Sequence, residues 1–145
     1  MQNISNLPII PIMHCFDENY CLPAAVSFYS MLKYANKNYF YKLYVLHSDN
    51  ISKDSQEKLK QTIAIFPNAS LEFINKGGFY DDLWEKLKSR AHFSKDMFYK
   101  LSVASSFPQY DKMIVTDVDV LWQGDISVEF DKFENGGGWQ LYRWL

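Results

Sequence analysis

Apolar positions along the chain recur with two different periods. Four short, mainly apolar runs predict β-strands at 9–15, 42–47, 71–74 and 112–116. The segments between them predict helices at 22–35, from Ser52 to just before Pro67, at 81–88 and at 94–107. This alternating order predicts one α/β domain with a parallel, doubly wound sheet and right-handed crossovers.

Individual residues predict where some of these strands and helices begin and which side of a helix is apolar. Pro11 is unfavourable in the middle of the first strand, because proline cannot donate to a central ladder. Ser52 is the predicted N-cap of the second helix, with Ser55 or Gln56 near the reciprocal position. In the first helix, the apolar residues at helical spacing are Leu22, Ala25, Val26, Tyr29, Leu32 and Ala35. In the helix at 94–107, the residues predicted to share a face are Met97, Phe98, Leu101, Ala104 and Ser105.

Composition narrows the class of protein. The chain has 145 residues, 48% of them apolar, and a net charge of −2, so disorder is excluded and nucleic-acid binding has no electrostatic support. The N-terminus lacks a basic region, and no apolar run approaches a membrane span. Cys15 and Cys21 match neither a zinc nor a disulfide pattern, which favours reduced, buried thiols in the cytoplasm. His14, His47 and His92 show no ligand spacing and are expected to be packing or surface residues.

Two acidic segments follow the first and fourth predicted strands, Asp17 to Tyr20 and Asp117 to Asp119. In an open parallel sheet both lie at the carboxyl edge, where ligands bind. Residues i and i+2 of an extended segment project to one side, so the paired aspartates can present two carboxylates to a hard divalent cation while Val118 packs backward. For Asp117 and Asp119, the alternative to a metal site is a solvated acidic turn. For Tyr20, the alternative to stacking on a nucleobase is packing within its loop.

Several of these segments together resemble family 8 glycosyltransferases, which include bacterial lipopolysaccharide galactosyl- and glucosyltransferases and glycogenin. The motifs are CFDENY at 15–20, PAAVS at 23–27, FYKL at 98–101, YDKMIVTDVDVL at 110–121 and GDI at 124–126. The resemblance runs in order from about residue 9 to residue 133. It implies a GT-A (Rossmann-like) fold, a UDP-hexose donor carrying galactose or glucose, and a retaining hexosyltransferase acting on a lipopolysaccharide or surface-glycan acceptor.

The resemblance also assigns the nucleotide contacts. Asp17, Asn19 and Tyr20 would hold the uridine, with Tyr20 stacked on the uracil. The backbone of Cys15 would border the base, and Val118 would line the ribose side.

For the reacting end of the donor, the resemblance implies a Mn²⁺ or Mg²⁺ ion bound by Asp117 and Asp119. Lys100 stands where members of the family commonly carry an arginine that contacts the donor. Lysine keeps the positive charge but lacks the two parallel N–H donors of arginine, so weaker binding of the donor phosphate or sugar is expected. No residue is assigned as the catalytic nucleophile.

The C-terminal end departs from the family. We expect a nucleotide-sugar-binding domain at 1–133, incomplete at its C-terminal side, and a divergent tail at 134–145. The tail lacks the family's His-x-x-Gly-x-x-Lys-Pro-Trp motif, and its Gly-Gly-Gly-Trp suggests a frame shift or truncation. Two alternatives stay open: a half-domain that binds UDP or oligomerises without catalysis, and, ranked lower, a haloacid-dehalogenase-type phosphatase. A bacterial cytoplasmic location, or peripheral attachment of the full-length protein to the inner membrane, goes with the family.

Overall fold

The computed structural model describes residues 6–87 and 95–132. Its strands are β1 (Ile9–Cys15), β2 (Phe40–His47), β3 (Ala69–Asn75) and β4 (Ile114–Val115). Its α-helices are α1 (Cys21–Lys33), α2 (Lys53–Ile63), α3 (Asp81–Leu87), α4 (Val103–Ser106) and α5 (Ser127–Lys132). Two 3₁₀ segments, Glu18–Tyr20 and Lys95–Ser102, complete the order. The expected tail at 134–145 lies outside the described residues.

Within the described residues the four strands form one parallel sheet in the order β3-β2-β1-β4. The chain moves outward from β1 to β3 and then returns to the other side of β1. The sheet therefore has a topological switch point between β1 and β4, as a doubly wound fold requires. The predicted α/β class is confirmed.

Alternate residues of the strands enter two separate cores. Ile10 and Ile12 pack with Phe28 of α1 on one face of the sheet. Met13 packs with Tyr99 and other side chains of the 95–106 segment on the opposite face. Helical segments therefore cover both faces of the central strands.

Pro11 lies in the middle of β1 although β1 is an inner strand. The backbone oxygen of Pro8 accepts from Phe40 of β2, while that of Met13 accepts from Thr116 beside β4. Because backbone direction alternates along a strand, the nitrogen of Pro11 points to the β4 side. There the pairing begins only at Ile12, so proline replaces no ladder donor among the described residues.

The apolar set predicted for the first helix is correct in part, since Leu32 is buried and Ala25 and Ala35 pack against the core. The helix buries Ala24, Ser27, Phe28 and Met31 together with neighbouring residues. Three members of the predicted apolar set are exposed instead, namely Leu22, Val26 and Tyr29. The helix is apolar around most of its circumference, so periodicity alone does not select the side that meets the sheet.

The helix predicted at 94–107 is also corrected. It winds as a 3₁₀ helix over Lys95–Ser102 and becomes α-helical only at α4. The 3₁₀ turn brings residues three apart to one side, so Tyr99 and Ser102 are buried, followed by Val103 and Phe107. Of the residues predicted to share a face, Leu101, Ala104 and Ser105 are exposed and Phe98 is half-buried, while the side chain of Met97 lies outside the described part of the chain.

At the amino edge of the sheet, a hydrogen-bond network joins three elements. The buried hydroxyl of Tyr41 accepts from the backbone of Asn36 at 2.8 Å and donates to Asp125 at 3.1 Å. Asp125 also accepts from the backbone and hydroxyl of Ser127 at the start of α5. Burial is the main cause that raises the pKa of Tyr41 to about 12, which keeps this hydroxyl protonated.

Candidate functional site

The two acidic segments begin at neighbouring strand ends. β1 and β4 pair in parallel at Ile12 and Met13, and the backbone nitrogen of Thr116 donates to Met13 at 3.2 Å. The segment after Cys15 and the segment after Val115 therefore leave the same edge of the sheet on either side of the switch point. Crevices at this position are where open α/β sheets bind ligands.

The first segment is a tight turn fixed by its own hydrogen bonds. Asp17 caps the 3₁₀ turn, since its Oδ1 accepts from the backbone of Asn19 at 2.9 Å. The backbone of Tyr20 donates to the Asp17 carbonyl at 3.0 Å. Asn19 and Tyr20 are exposed, the tyrosine by 47%, so an aromatic face is presented to solvent at this edge. Cys15 lies half-buried at the end of β1.

Glu18 in the same turn points its carboxylate at the start of α2. Its oxygens accept from the backbone and hydroxyl of Ser52 at 2.7 and 3.1 Å and from the hydroxyl of Ser55 at 2.5 Å. The hydrogen bond from Ser55, followed by that from the Ser52 backbone, lowers the pKa of Glu18 below its ordinary 4.5. Ser52 is the N-cap of α2, as predicted, since its hydroxyl accepts from the backbone of Ser55 at 3.2 Å. The backbone N–H of Ser52 itself is satisfied by Glu18 and not by Ser55 or Gln56.

The second segment alternates as its pattern predicts. Asp117 and Asp119 are exposed, while Val118 is only 4% exposed and belongs to the same core as Phe28. Just beyond, Trp122 is held to α1, where its backbone donates to the Ser30 hydroxyl at 3.0 Å. Both carboxylates are thus presented at the edge by a backbone anchored on two sides.

Lys100 forms an ion pair with Asp117. The side chain of Lys100 is only 13% exposed, whereas that of Asp117 is 62% exposed. The positive charge of the pair therefore lies on the buried side and the carboxylate on the solvent side. Tyr99, the neighbour of Lys100, is buried and donates its hydroxyl to the carbonyl of Gly77 at 2.8 Å, which fixes the 3₁₀ segment that carries Lys100. Sequence reasoning singled out Lys100 but missed its contact with Asp117, since the two are 17 positions apart and no local pattern relates them.

His14 lies fully buried on β1, three residues before Asp17. Its ring packs against Phe28 with centroids 4.7 Å apart, as expected of a packing residue. Burial lowers the pKa of His14 from 6.5 to about 3, and the nearby charge of Lys100 adds to this effect. The imidazole is therefore neutral at physiological pH.

The donor set fits a hard divalent cation in part. Asp117 and Asp119 supply two exposed carboxylates, the ligand type that Mg²⁺ and Mn²⁺ prefer. No cluster of three or more His, Cys, Asp or Glu side chains suited to a metal occurs within residues 6–87 and 95–132.

The parallel sheet with helical segments on both faces is an α/β fold, and its solved neighbours are glycosyltransferases of the GT-A type. The model for glycosyl transferase family 8 matches residues 11–131, and the chain belongs to that family. It is 27% identical over 125 residues to General stress protein A of Bacillus subtilis (strain 168). That match covers 85% of this chain and 42% of the relative, so the chain spans about two fifths of the relative's length.

Solved glycosyltransferases share the fold. The apo structure of the bifunctional glycosyltransferase WbbM superposes with a TM-score of 0.68 and 25% identity, covering 90% of this chain and 22% of WbbM. The galactosyltransferase LgtC, in complex with donor and acceptor sugar analogs, gives 0.64 at 18% identity over 84% of this chain and 42% of LgtC. Mouse xyloside xylosyltransferase 1 gives 0.60 at 19% identity over 88% of this chain and 48% of that enzyme. No helix in the described part of the chain is long and apolar enough to cross a bilayer.

Proposed function

We propose that this chain is the donor-binding part of a retaining hexosyltransferase. It would bind a UDP-hexose, carrying galactose or glucose, with a divalent metal ion for transfer to a lipopolysaccharide or other surface-glycan acceptor. The observation that carries the proposal is the placement of the turn at 17–20 and the Asp117–Asp119 pair on the two sides of the switch point in a family 8 chain. LgtC, which shares the fold, is a galactosyltransferase.

In this proposal the turn after β1 holds the uridine. Tyr20 stacks on the uracil, for which its exposed ring is suited, while Asp17 and Asn19 hydrogen-bond to the nucleoside. The half-buried Cys15 borders the base through its backbone. The internal hydrogen bonds of the turn would fix its shape before the nucleotide arrives, which lowers the entropic cost of binding.

The segment after β4 holds the reacting end of the donor. Asp117 and Asp119 bind Mn²⁺ or Mg²⁺, and Val118 lines the ribose side. When bound, the ion acts as a Lewis acid that stabilises the charge developing on the UDP leaving group. Lys100 adds a second positive charge that stabilises the UDP leaving group. Its ammonium acts as a point charge and lacks the two parallel donors of an arginine.

Two other functions make different predictions. A donor-binding part without transferase activity binds UDP and the ion but releases no UDP from a UDP-hexose. A haloacid-dehalogenase-type phosphatase hydrolyses p-nitrophenyl phosphate. The phosphatase is disfavoured because the Asp-x-Asp pair follows β4 and the family model is that of a glycosyltransferase.

Calorimetric titration of UDP with and without Mn²⁺ tests the proposal. We expect binding that requires the ion and weakens by about tenfold or more in Asp119→Ala. Asp111→Ala is the matched control, because Asp111 is another exposed carboxylate and precedes β4. Metal-independent binding, or an Asp119→Ala protein that binds as the control does, would contradict the metal site.

A further inference from the structure

Glu18 joins the turn after β1 to the start of α2. Its Oε2 accepts from the backbone N–H of Ser52 at 2.7 Å, and its Oε1 accepts from the hydroxyls of Ser52 and Ser55 at 3.1 and 2.5 Å. A second link runs through the backbone, where the nitrogen of Glu18 donates to the carbonyl of Asn50 at 3.1 Å. One residue of the turn thus meets α2 and the loop before it through four hydrogen bonds.

These contacts complete a helix cap with a residue from another loop. In a capping box, the N-cap backbone N–H is satisfied by a Glu or Gln side chain three positions into the helix. Here that position is Ser55, whose side chain donates to Glu18 rather than accepting from Ser52. The carboxylate that completes the box comes from 34 residues earlier in the chain. The positive end of the 11-residue helix α2 and three donor groups compensate its charge.

The residues on either side of Glu18 are those proposed to hold the nucleoside. Asp17 precedes it, and Asn19 and Tyr20 complete the same 3₁₀ turn. Because Glu18 is the first residue of this turn and is held by hydrogen bonds, the two residues that follow it have little freedom to change their orientation. The direction in which Tyr20 and Asn19 leave the turn therefore depends on where Glu18 is held.

We propose that Glu18 is a positioning residue for the nucleotide, acting through Asp17, Asn19 and Tyr20 by anchoring their turn to α2. The inference rests on the proposed function. A purely structural role, in which Glu18 only caps α2, predicts a different result. Removing the carboxylate would then lower stability and leave nucleotide affinity unchanged.

Four variants separate these roles. Glu18→Gln keeps the shape but loses the charge, and Ser55→Ala removes one donor while leaving the cap made by Ser52. Ser55→Thr restores the hydroxyl. Asp54→Asn is the matched control, because Asp54 is an exposed carboxylate in the first turn of α2 that pairs with Lys58 and, among the described hydrogen bonds, makes none to the turn at 17–20.

The readouts are the UDP dissociation constant with saturating Mn²⁺, the Mn²⁺ dissociation constant without nucleotide, and thermal stability. We expect Glu18→Gln to weaken UDP binding about fivefold and Ser55→Ala about twofold, with Mn²⁺ affinity unchanged. Ser55→Thr and Asp54→Asn should bind UDP as the unaltered protein does. A turn that only caps α2 would give the same UDP affinity in Glu18→Gln as in Asp54→Asn, and this result overturns the inference.

The outcomes remain distinguishable from failure of the proposed function. If the unaltered protein binds no UDP, the proposed function falls and this inference falls with it. If the unaltered protein binds UDP and the variants bind equally well, only the positioning role falls. Should Glu18→Gln not fold, Ser55→Ala and Ser55→Thr decide the question alone, and equal affinity in that pair overturns the positioning role.

Discussion

Replacing His14 should remove a defined part of the acid sensitivity of the fold. In the native protein the pKa of His14 is lowered to about 3, whereas in the unfolded chain it takes its ordinary value of about 6.5. Between these values the unfolded chain binds more protons, so stability falls as the pH decreases. The free energy of unfolding is therefore unaffected by protonation of His14 above about pH 6.5, and it falls as the pH decreases from there toward about 3.

The magnitude at pH 5 follows from linkage. There the histidine of the unfolded chain is about 97% protonated, while the fully buried ring of the native protein is neutral. His14 alone therefore lowers the free energy of unfolding by about 2 kcal/mol at pH 5 relative to pH 8. This figure depends on the ordinary pKa and hardly on the depth of the shift, because the native ring stays neutral at pH 5 for any value near 3. Domains commonly have a stability of about 5–15 kcal/mol, so the change is readily measured.

Urea unfolding at pH 8 and pH 5 gives the assay. In His14→Leu the loss of stability between the two pH values should be smaller than in the unaltered protein by about 2 kcal/mol. Phe28→Leu is the matched control, since Phe28 packs against His14 without carrying a titrating group. It should lower stability by the same amount at both pH values. An undiminished pH dependence in His14→Leu would refute the reasoning and show that the native ring protonates near its ordinary pKa.

Two further predictions concern the ion pair and the network at the opposite edge. Lys100→Met should raise Mn²⁺ affinity without nucleotide by about two- to fivefold, because the lysine competes for the exposed carboxylate of Asp117, and should weaken UDP binding. Electron paramagnetic resonance of free Mn²⁺ measures the first effect, and an unchanged affinity would show that the pair does not compete with the ion. Tyr41→Phe should cost about 1–3 kcal/mol of stability, since it leaves the backbone of Asn36 and the carboxylate of Asp125 without the buried hydroxyl. Its UDP affinity should be unchanged, because Tyr41 lies at the amino edge of the sheet, and a weakened affinity would contradict this separation.

The strands were predictable because each is a short apolar run with a clear end. The observed β1 matches its predicted bounds, and β4 is shorter than predicted because only Ile12 and Met13 of β1 pair with it. Helix faces were harder to predict. An apolar stripe at Leu22, Val26 and Tyr29 is as regular as the buried one, and only contact with the sheet decides between them.

Within the candidate site, local geometry was predictable and long-range contacts were not. The exposed-buried-exposed alternation around Val118 was predicted from the two-residue period of extended backbone, and it is observed although the chain bends at Val118 and Asp119. The pairing of Lys100 with Asp117 and the reach of Glu18 to Ser52 depend on how distant segments are stacked by the fold. No spacing in the sequence reports such contacts. The only local signal was the missing Glu or Gln at the third position of α2, which leaves the N-cap without its reciprocal partner.

These long-range contacts give the two halves of the site different physical characters. The turn after β1 is held mainly by hydrogen bonds around Glu18 and Asp17, so variants there should change nucleotide affinity through its geometry. The segment after β4 is held by the burial of Val118 and carries the exposed charges of Asp117 and Asp119, so variants there should act mainly through electrostatics. Salt screens exposed charges but leaves a hydrogen-bonded turn in place. The effect of Lys100→Met on Mn²⁺ binding should therefore shrink at high ionic strength, while that of Ser55→Ala, which removes a neutral hydrogen-bond donor from the turn, on UDP binding should persist.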